Sequence, residues 1–296
     1  MDEAITNRIG LIGLGLVGTA IAEHLLAENF TVVGFDIDSA KCRHLEQLGG
    51  KAVVSSAAVA EQTARVVLSL PDTGAVRQVV QGPDGILKAK TLPEYIIDTT
   101  TGDPEETIRL AQRLAKRQIH FLDSTISGSS RQVANREAVL MVGGEKTAFE
   151  ACKDIFEAFA KKVFYLGPSG NGSKAKLASN LVLGLNRLAL AEGLVFARRL
   201  GLDPTAFLKL LKATPAYSAV MDVKGEKMLA GDFTPESRVR QHHKDVSLIL
   251  KYAERAGQEL PLSMVHLDVL AKAIAAGEGE MDNAAVIQEI ERRSNL

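Results

Sequence analysis

The chain has no tryptophan, only two cysteines in 296 residues, and almost no net charge, −1. Cys42 and Cys152 lie far apart and in no CxxC spacing, which excludes a disulfide framework or a zinc knuckle and favours a reducing, cytoplasmic setting. Neither has a histidine partner at a spacing that suggests nucleophilic catalysis. With 35 basic against 36 acidic residues, nothing draws the chain to nucleic acid or to an anionic membrane. No HExxH or carboxylate–histidine cluster occurs, and the adjacent His242 and His243 face different sides of a helix, so no metal is expected. The start, MDEAITNR, is polar and unlike a signal peptide. No apolar run is read as approaching the ~20 residues of a membrane span. What is present, 46% hydrophobic and 24% charged residues, is the composition of a globular chain long enough for two domains.

The first half alternates. Short β-branched runs at 8–15, 31–36, 65–70, 94–100, 119–125, 138–143 and 162–167 read as strands, with helix-like stretches such as 17–28, 39–48 and 103–117 between them. In the last of these Asp103 stands as cap, Pro104 at the first position and two glutamates in the first turn. Such alternation predicts a largely parallel sheet covered on both faces, with an antiparallel edge open where the later strands come closer together. After about residue 168 the pattern changes. SKAKLASNLVLGLNRLALAEGLVFARRLG reads as one helix of roughly 28 residues, about 40 Å long, apolar on almost every face and so expected to be buried on all sides. Amphipathic helices follow at 203–213, 241–256, 263–276 and 283–292, without a convincing strand.

The first strand runs into GLGLVG. Gly13, Gly15 and Gly18 have GxGxxG spacing, suited to a tight turn, close approach of a pyrophosphate and close helix–strand packing. Leu14, Leu16 and Val17 fill the loop, and amides at the following helix start can bind phosphate. The motif alone is weak, but here it follows a strand, opens a helix and is followed by a second strand ending in Asp36. Asp36 is placed for the adenosine ribose hydroxyls and would repel a 2′-phosphate, and Ile37 and Asp38 supply no arginine to receive one. NAD is therefore favoured over NADP, which stays open. The alternative is that Asp36 merely caps the next helix. Asn29 suits a left-handed turn residue. The predicted fold is an α/β Rossmann-type dinucleotide-binding domain over 1–167, then a long interdomain helix opening an all-α C-terminal domain over 168–296.

Three segments, GLIGLGLVG (10–18), DSTISGSSRQVANREAVLMVGG (123–144) and GNGSKAKLASNLVLGLNRLALAEGL (170–194), together resemble the β-hydroxyacid dehydrogenase family. That family includes 3-hydroxyisobutyrate dehydrogenases, tartronate semialdehyde reductases and glyoxylate/succinic semialdehyde reductases, and is related to 6-phosphogluconate dehydrogenase. A fourth segment, KDVSLILKYAERAGQELPL (244–262), resembles its C-terminal Lys-Asp segment. The resemblance implies an NAD(P)-dependent oxidoreductase of small β-hydroxy acids in which Lys176 is catalytic and Asn180, one turn later on the same face, holds substrate oxygens. Lysine can remove or supply the hydroxyl proton if its surroundings lower its pKa. Lys174 points in a very different direction and is read as solvated or near phosphate.

By the same resemblance Ser127, Gly128 and Ser129 form a turn whose hydroxyl and amides meet the substrate carboxylate. Leu70, Pro71, Thr100 and Lys244 are further cofactor contacts. Phe233 lines the nicotinamide end or belongs to the core. Arg131, Arg238 and Arg240 are either receptors for a second anionic group or solvated charges. The Ser-Gly-Ser turn resembles the glyoxylate/succinic semialdehyde reductase branch, which Asp36 contradicts. Arg136 and Glu137 stand where relatives have small residues and are expected at the pocket edge. Imine reduction and a non-catalytic dinucleotide-binding module are the competing readings; the retained Lys176–Asn180 pair argues against both. The apolar long helix and helical second domain predict a homodimer or homotetramer.

Overall fold

Eight strands, the seven expected runs and one more, pair edge to edge in a computed structural model that describes residues 7–293. They are β1 (Arg8–Ile12), β2 (Thr31–Phe35), β3 (Lys51–Ala52), β4 (Arg65–Leu68), β5 (Tyr95–Asp98), β6 (His120–Ser127), β7 (Val139–Gly143) and β8 (Lys162–Tyr165). The order across the sheet is β3-β2-β1-β4-β5-β6-β7-β8. After β3 the chain returns to the other side of β1, so β1 and β4 flank the switch point outside whose carboxyl ends such sheets bind ligands. Ile9, Leu11, Val66, Val67, Ile96 and Ile97 are fully buried, as strands covered on both faces require.

Every pairing is parallel except β6 with β7, which runs from Asp123–Gly143 to Ser127–Val139. Only residues 128–138, holding the short helix Ser130–Ala134, separate these two strands, less chain than the dozen or more residues of a parallel crossover. The sheet therefore reverses at the Ser127–Ser129 turn. β3 was not expected; two residues at the sheet edge give no periodicity to read. The expected helix cap is confirmed, Asp103 accepting from the amides of Glu105 and Glu106 ahead of Pro104–Ala115, and Asn29 is left-handed at φ 63°.

By contacts the chain divides after Lys176, inside the long helix Asn171–Arg199. The second unit holds the rest of that helix and Pro204–Lys212, Val220–Ala230, Val239–Arg255, Pro261–Ala275 and Val286–Arg293. Val220–Ala230 was not expected, because Lys224 and Gly225 interrupt its apolar pattern. Both are internal: a β-carbon at Gly225 would lie 2.8 Å from Leu208, and the buried Lys224 is paired with Asp282.

The long helix corrects two expectations. It is not buried on all sides, since Val182 is 56% and Phe196 63% exposed. By length and composition it is also apolar enough to cross a membrane, contrary to the reading above, although half of its apolar window is buried within the protein. Its polar residues Asn180 and Arg187 are among those buried.

Candidate active site

β1 is followed by Gly13, whose φ of 93° is left-handed and whose β-carbon would lie 2.2 Å from the Ser69 carbonyl oxygen. At Gly18 a β-carbon would come within 1.9 Å of the Gly13 oxygen, whereas at Gly15 nothing lies within 4 Å. Two glycines thus serve close packing, and the middle one leaves an open approach. The helix Leu16–Ala27 starts at Gly15 without a side-chain cap, which leaves its first amides to an anion. Asp36 Oδ2 accepts from the Leu14 amide at 2.7 Å and Oδ1 from the Asp38 amide at 2.9 Å, fixing the acid against the glycine loop. The next helix, Ser39–Gln47, is capped by Asp38, so Asp36 is not its cap. Lys41 Nζ lies 3.6 Å from Asp36 Oδ1, a cation that attention to Ile37 and Asp38 missed. The Leu70 amide donates to Thr100 Oγ1 at 3.2 Å, joining two expected cofactor contacts at the ends of β4 and β5.

At the reversal of the sheet Gly128 has φ 148°. Ser129 caps the short helix after it, accepting from the Gln132 amide while its own amide donates to Gln132 Oε1. That amide has an internal partner, so the expectation of carboxylate binding rests on Ser127 and the Gly128 amide. Arg136, expected at the pocket edge, pairs with Glu28, and its Nε donates to His24 Nδ1 at 3.2 Å. Its φ of 55° is left-handed, at a cost of about 1–2 kcal/mol for a residue with a side chain.

The start of the lysine helix is fastened to β6. Buried Asp123 accepts from the amides of Gly170 and Ser173, both at 2.8 Å, and Thr125 Oγ1 donates to the Gly172 oxygen at 2.9 Å. A β-carbon at Gly172 would lie 2.2 Å from the Asp123 carbonyl oxygen, which explains the glycine ahead of the two lysines. The same strand ends in Ser127, so one element sets both the turn and the start of the helix. Lys176 is 7% exposed, while Lys174 is exposed. Asp123 was not among the sequence candidates.

In the second unit Asn180 is buried and donates through Nδ2 to Asp245 Oδ2 at 3.0 Å. Lys244 Nζ lies 3.3 Å from Asp245 Oδ1. Sequence reasoning singled out Lys244 and quoted its neighbour Asp245 without assigning it a role. Phe233 packs against the helical core, and Arg238 and Arg240 both pair with Glu280. Among the described residues no group of three or more histidine, cysteine, aspartate or glutamate side chains could hold a metal ion.

A glycine loop open to a pyrophosphate at the head of an uncapped helix, with an acid closing β2, is the arrangement of a Rossmann-type dinucleotide-binding protein. Comparison with known proteins narrows this. Residues 8–167 match the family described as the NAD binding domain of 6-phosphogluconate dehydrogenase, and residues 170–290 the one described as the NAD-binding of NADP-dependent 3-hydroxyisobutyrate dehydrogenase. The chain is 31% identical to 2-hydroxy-3-oxopropionate reductase of Escherichia coli, over 97% of this chain and 98% of the relative. It is 30% identical to 2-(hydroxymethyl)glutarate dehydrogenase of Eubacterium barkeri, over 100% and 98%. A crystal structure of 3-hydroxyisobutyrate dehydrogenase from Salmonella typhimurium superposes with a TM-score of 0.87 at 26% identity, covering 95% of this chain and 99% of that one. The chain belongs to the β-hydroxyacid dehydrogenase family. It is an NAD(P)-dependent oxidoreductase that interconverts a small β-hydroxy acid and its semialdehyde or keto form.

Proposed function

We propose that this enzyme uses NAD to oxidise a small β-hydroxy acid, with Lys176 as the acid–base group. The observation that carries the reading is the buried Lys176 on a helix whose start is pinned to the strand ending in Ser127. Ser127 and the Gly128 amide receive the substrate carboxylate. Lys176 takes the hydroxyl proton during oxidation and returns it during reduction. Asn180, held by Asp245, orients the reacting oxygen. The bound nicotinamide supplies the hydride acceptor. Turnover of β-hydroxy acids and their semialdehydes, followed by the absorbance of reduced nicotinamide with each cofactor, tests this. Turnover of one carboxylate substrate supports the reading; none across the panel, with dinucleotide binding intact, overturns it in favour of a binding module.

The preference for NAD rests on Asp36, tempered by the nearby Lys41. Asp36→Ala is expected to lower kcat/KM for NAD by about 10- to 100-fold, the value of a hydrogen bond to a charged group, and to raise the relative use of NADP. An unchanged cofactor ratio would assign the choice elsewhere. Exposed Phe196, Leu200, Leu202, Leu262 and Met264 support a homo-oligomer. Light scattering is expected to return a dimer or tetramer, and a monomer at micromolar concentration would overturn this.

A further inference from the structure

Arg136 occupies a position that favours glycine, and the proposed chemistry does not use it. The helix Ser130–Ala134 ends with the Arg136 amide donating to the Val133 oxygen at 2.9 Å and the Glu137 amide to the Gln132 oxygen at 2.7 Å. The residue that closes such a helix end is left-handed and is most easily a glycine; Arg136 holds it at φ 55°. Its guanidinium pairs with Glu28, and both side chains are nearly half exposed. An exposed ion pair contributes little, no more than the left-handed backbone takes away. Stability therefore does not explain an arginine here.

The arginine joins two elements that each face an anion. Glu28 and His24 belong to the end of the helix Leu16–Ala27, whose start has no side-chain cap and is open to pyrophosphate. His24 Nε2 lies 2.9 Å from the Val133 oxygen, and its Nδ1 lies 3.2 Å from Arg136 Nε. A carbonyl only accepts and a guanidinium only donates, so His24 carries its proton on Nε2 and receives Arg136 on Nδ1. From Val133 the chain leads firmly back to the substrate turn. The Val133 amide donates to the Ser129 oxygen at 3.0 Å, and Ser129 and Gln132 close a capping box. On the other side of the turn Ser127 is held by its pairing with Val139 of β7. Gly128 thus lies between the sheet and a His24–Arg136 clamp. His24 follows Leu16 by eight residues, so one helix spans about 12 Å from the open amides to the clamp.

We propose that Arg136 and His24 are positioning residues: they fasten the turn that receives the substrate carboxylate to the helix whose first amides receive the pyrophosphate, and so hold the substrate at a set distance from the dinucleotide. Hydride transfer depends on that distance, since a misplacement of about 1 Å can cost about 10²-fold in rate. Neither residue touches a reacting atom; both act through Ser127 and Gly128. The proposal rests on the reading of that turn as the carboxylate site.

The test is steady-state kinetics, NAD binding and thermal unfolding of the full-length enzyme carrying R136G, H24A, R136G/H24A or S127A. The substrate is 3-hydroxyisobutyrate, or the member of the panel above that turns over fastest. R136G opens the clamp but suits the backbone, so kcat/KM for the β-hydroxy acid is expected to fall about 10- to 100-fold while Tm holds or rises and Kd for NAD is unchanged. H24A opens the clamp from the other side and is expected to lose as much, which decides the matter if R136G does not fold. The double variant is expected to be no slower than the slower single one. Intact kcat/KM in R136G and H24A, with or without a loss of Tm, or penalties that multiply in the double variant, would overturn the clamp while an impaired S127A leaves the reading of the turn standing. An S127A enzyme with unchanged kcat/KM, or no turnover by the wild type anywhere on the panel, would overturn that reading and this proposal with it.

Discussion

Lys176→Ala is expected to lower kcat by about 10²- to 10⁴-fold, the range contributed by a positioned acid–base group, with KM for the dinucleotide unchanged. The contrast is internal to the sequence. Lys174 sits two residues earlier in the same helix but is exposed where Lys176 is buried, and Lys174→Ala is expected to stay within about twofold, as for a surface charge with little coupling to the reaction. Steady-state rates of both variants, beside direct measurement of dinucleotide binding, check this. If K176A keeps more than about a tenth of the wild-type kcat, a loss below the acid–base range, the proton is carried by another group.

The second large effect falls on stability. Asp123→Ala is expected to cost about 2–5 kcal/mol, because the buried amides of Gly170 and Ser173 would each lose an acceptor at about 1–3 kcal/mol. Urea unfolding measures this, and a loss below about 1 kcal/mol would mean that these amides find other partners. The same carboxyl carries a pH signature. Burial raises it above its ordinary 3.8, against the opposing pull of the amides, so the folded protein holds this proton more tightly than the unfolded chain. Its stabilising contribution is complete below the unfolded value and is lost as pH climbs through the raised folded value. The stability gap between wild type and Asp123→Asn is therefore expected to narrow with rising pH across that window; a gap that widens would show the amides to outweigh burial.

The sheet was legible because strands covered on both faces must be continuous apolar runs, and the glycine loop because its steric demands leave little choice of residue. What could not be read depended on partners distant in sequence. Lys224 spoils an apolar helix pattern until Asp282, far along the chain, is known to neutralise it. Asp123 looks like an ordinary strand acid until the start of the long helix is fastened to β6. Asp245 was in plain view beside Lys244, yet only the folded helices bring it to Asn180. Lys41 reaches Asp36 because a helix turns it back toward β2, which a scan of the next two residues does not anticipate. That Lys176 and Asn180 share a helix face was legible from their spacing, but their suggested roles came from family resemblance and not from spacing.

One continuous helix begins in the sheet unit and ends in the helical one, with Lys176 as the last residue of the first and Asn180 four residues into the second. The two units are consequently not exchangeable cassettes. A fragment cut at residue 167, where the first family match ends, retains the glycine loop but lacks the lysine. One cut after residue 176 keeps the lysine in a helix of less than two turns, too short to hold itself together in water.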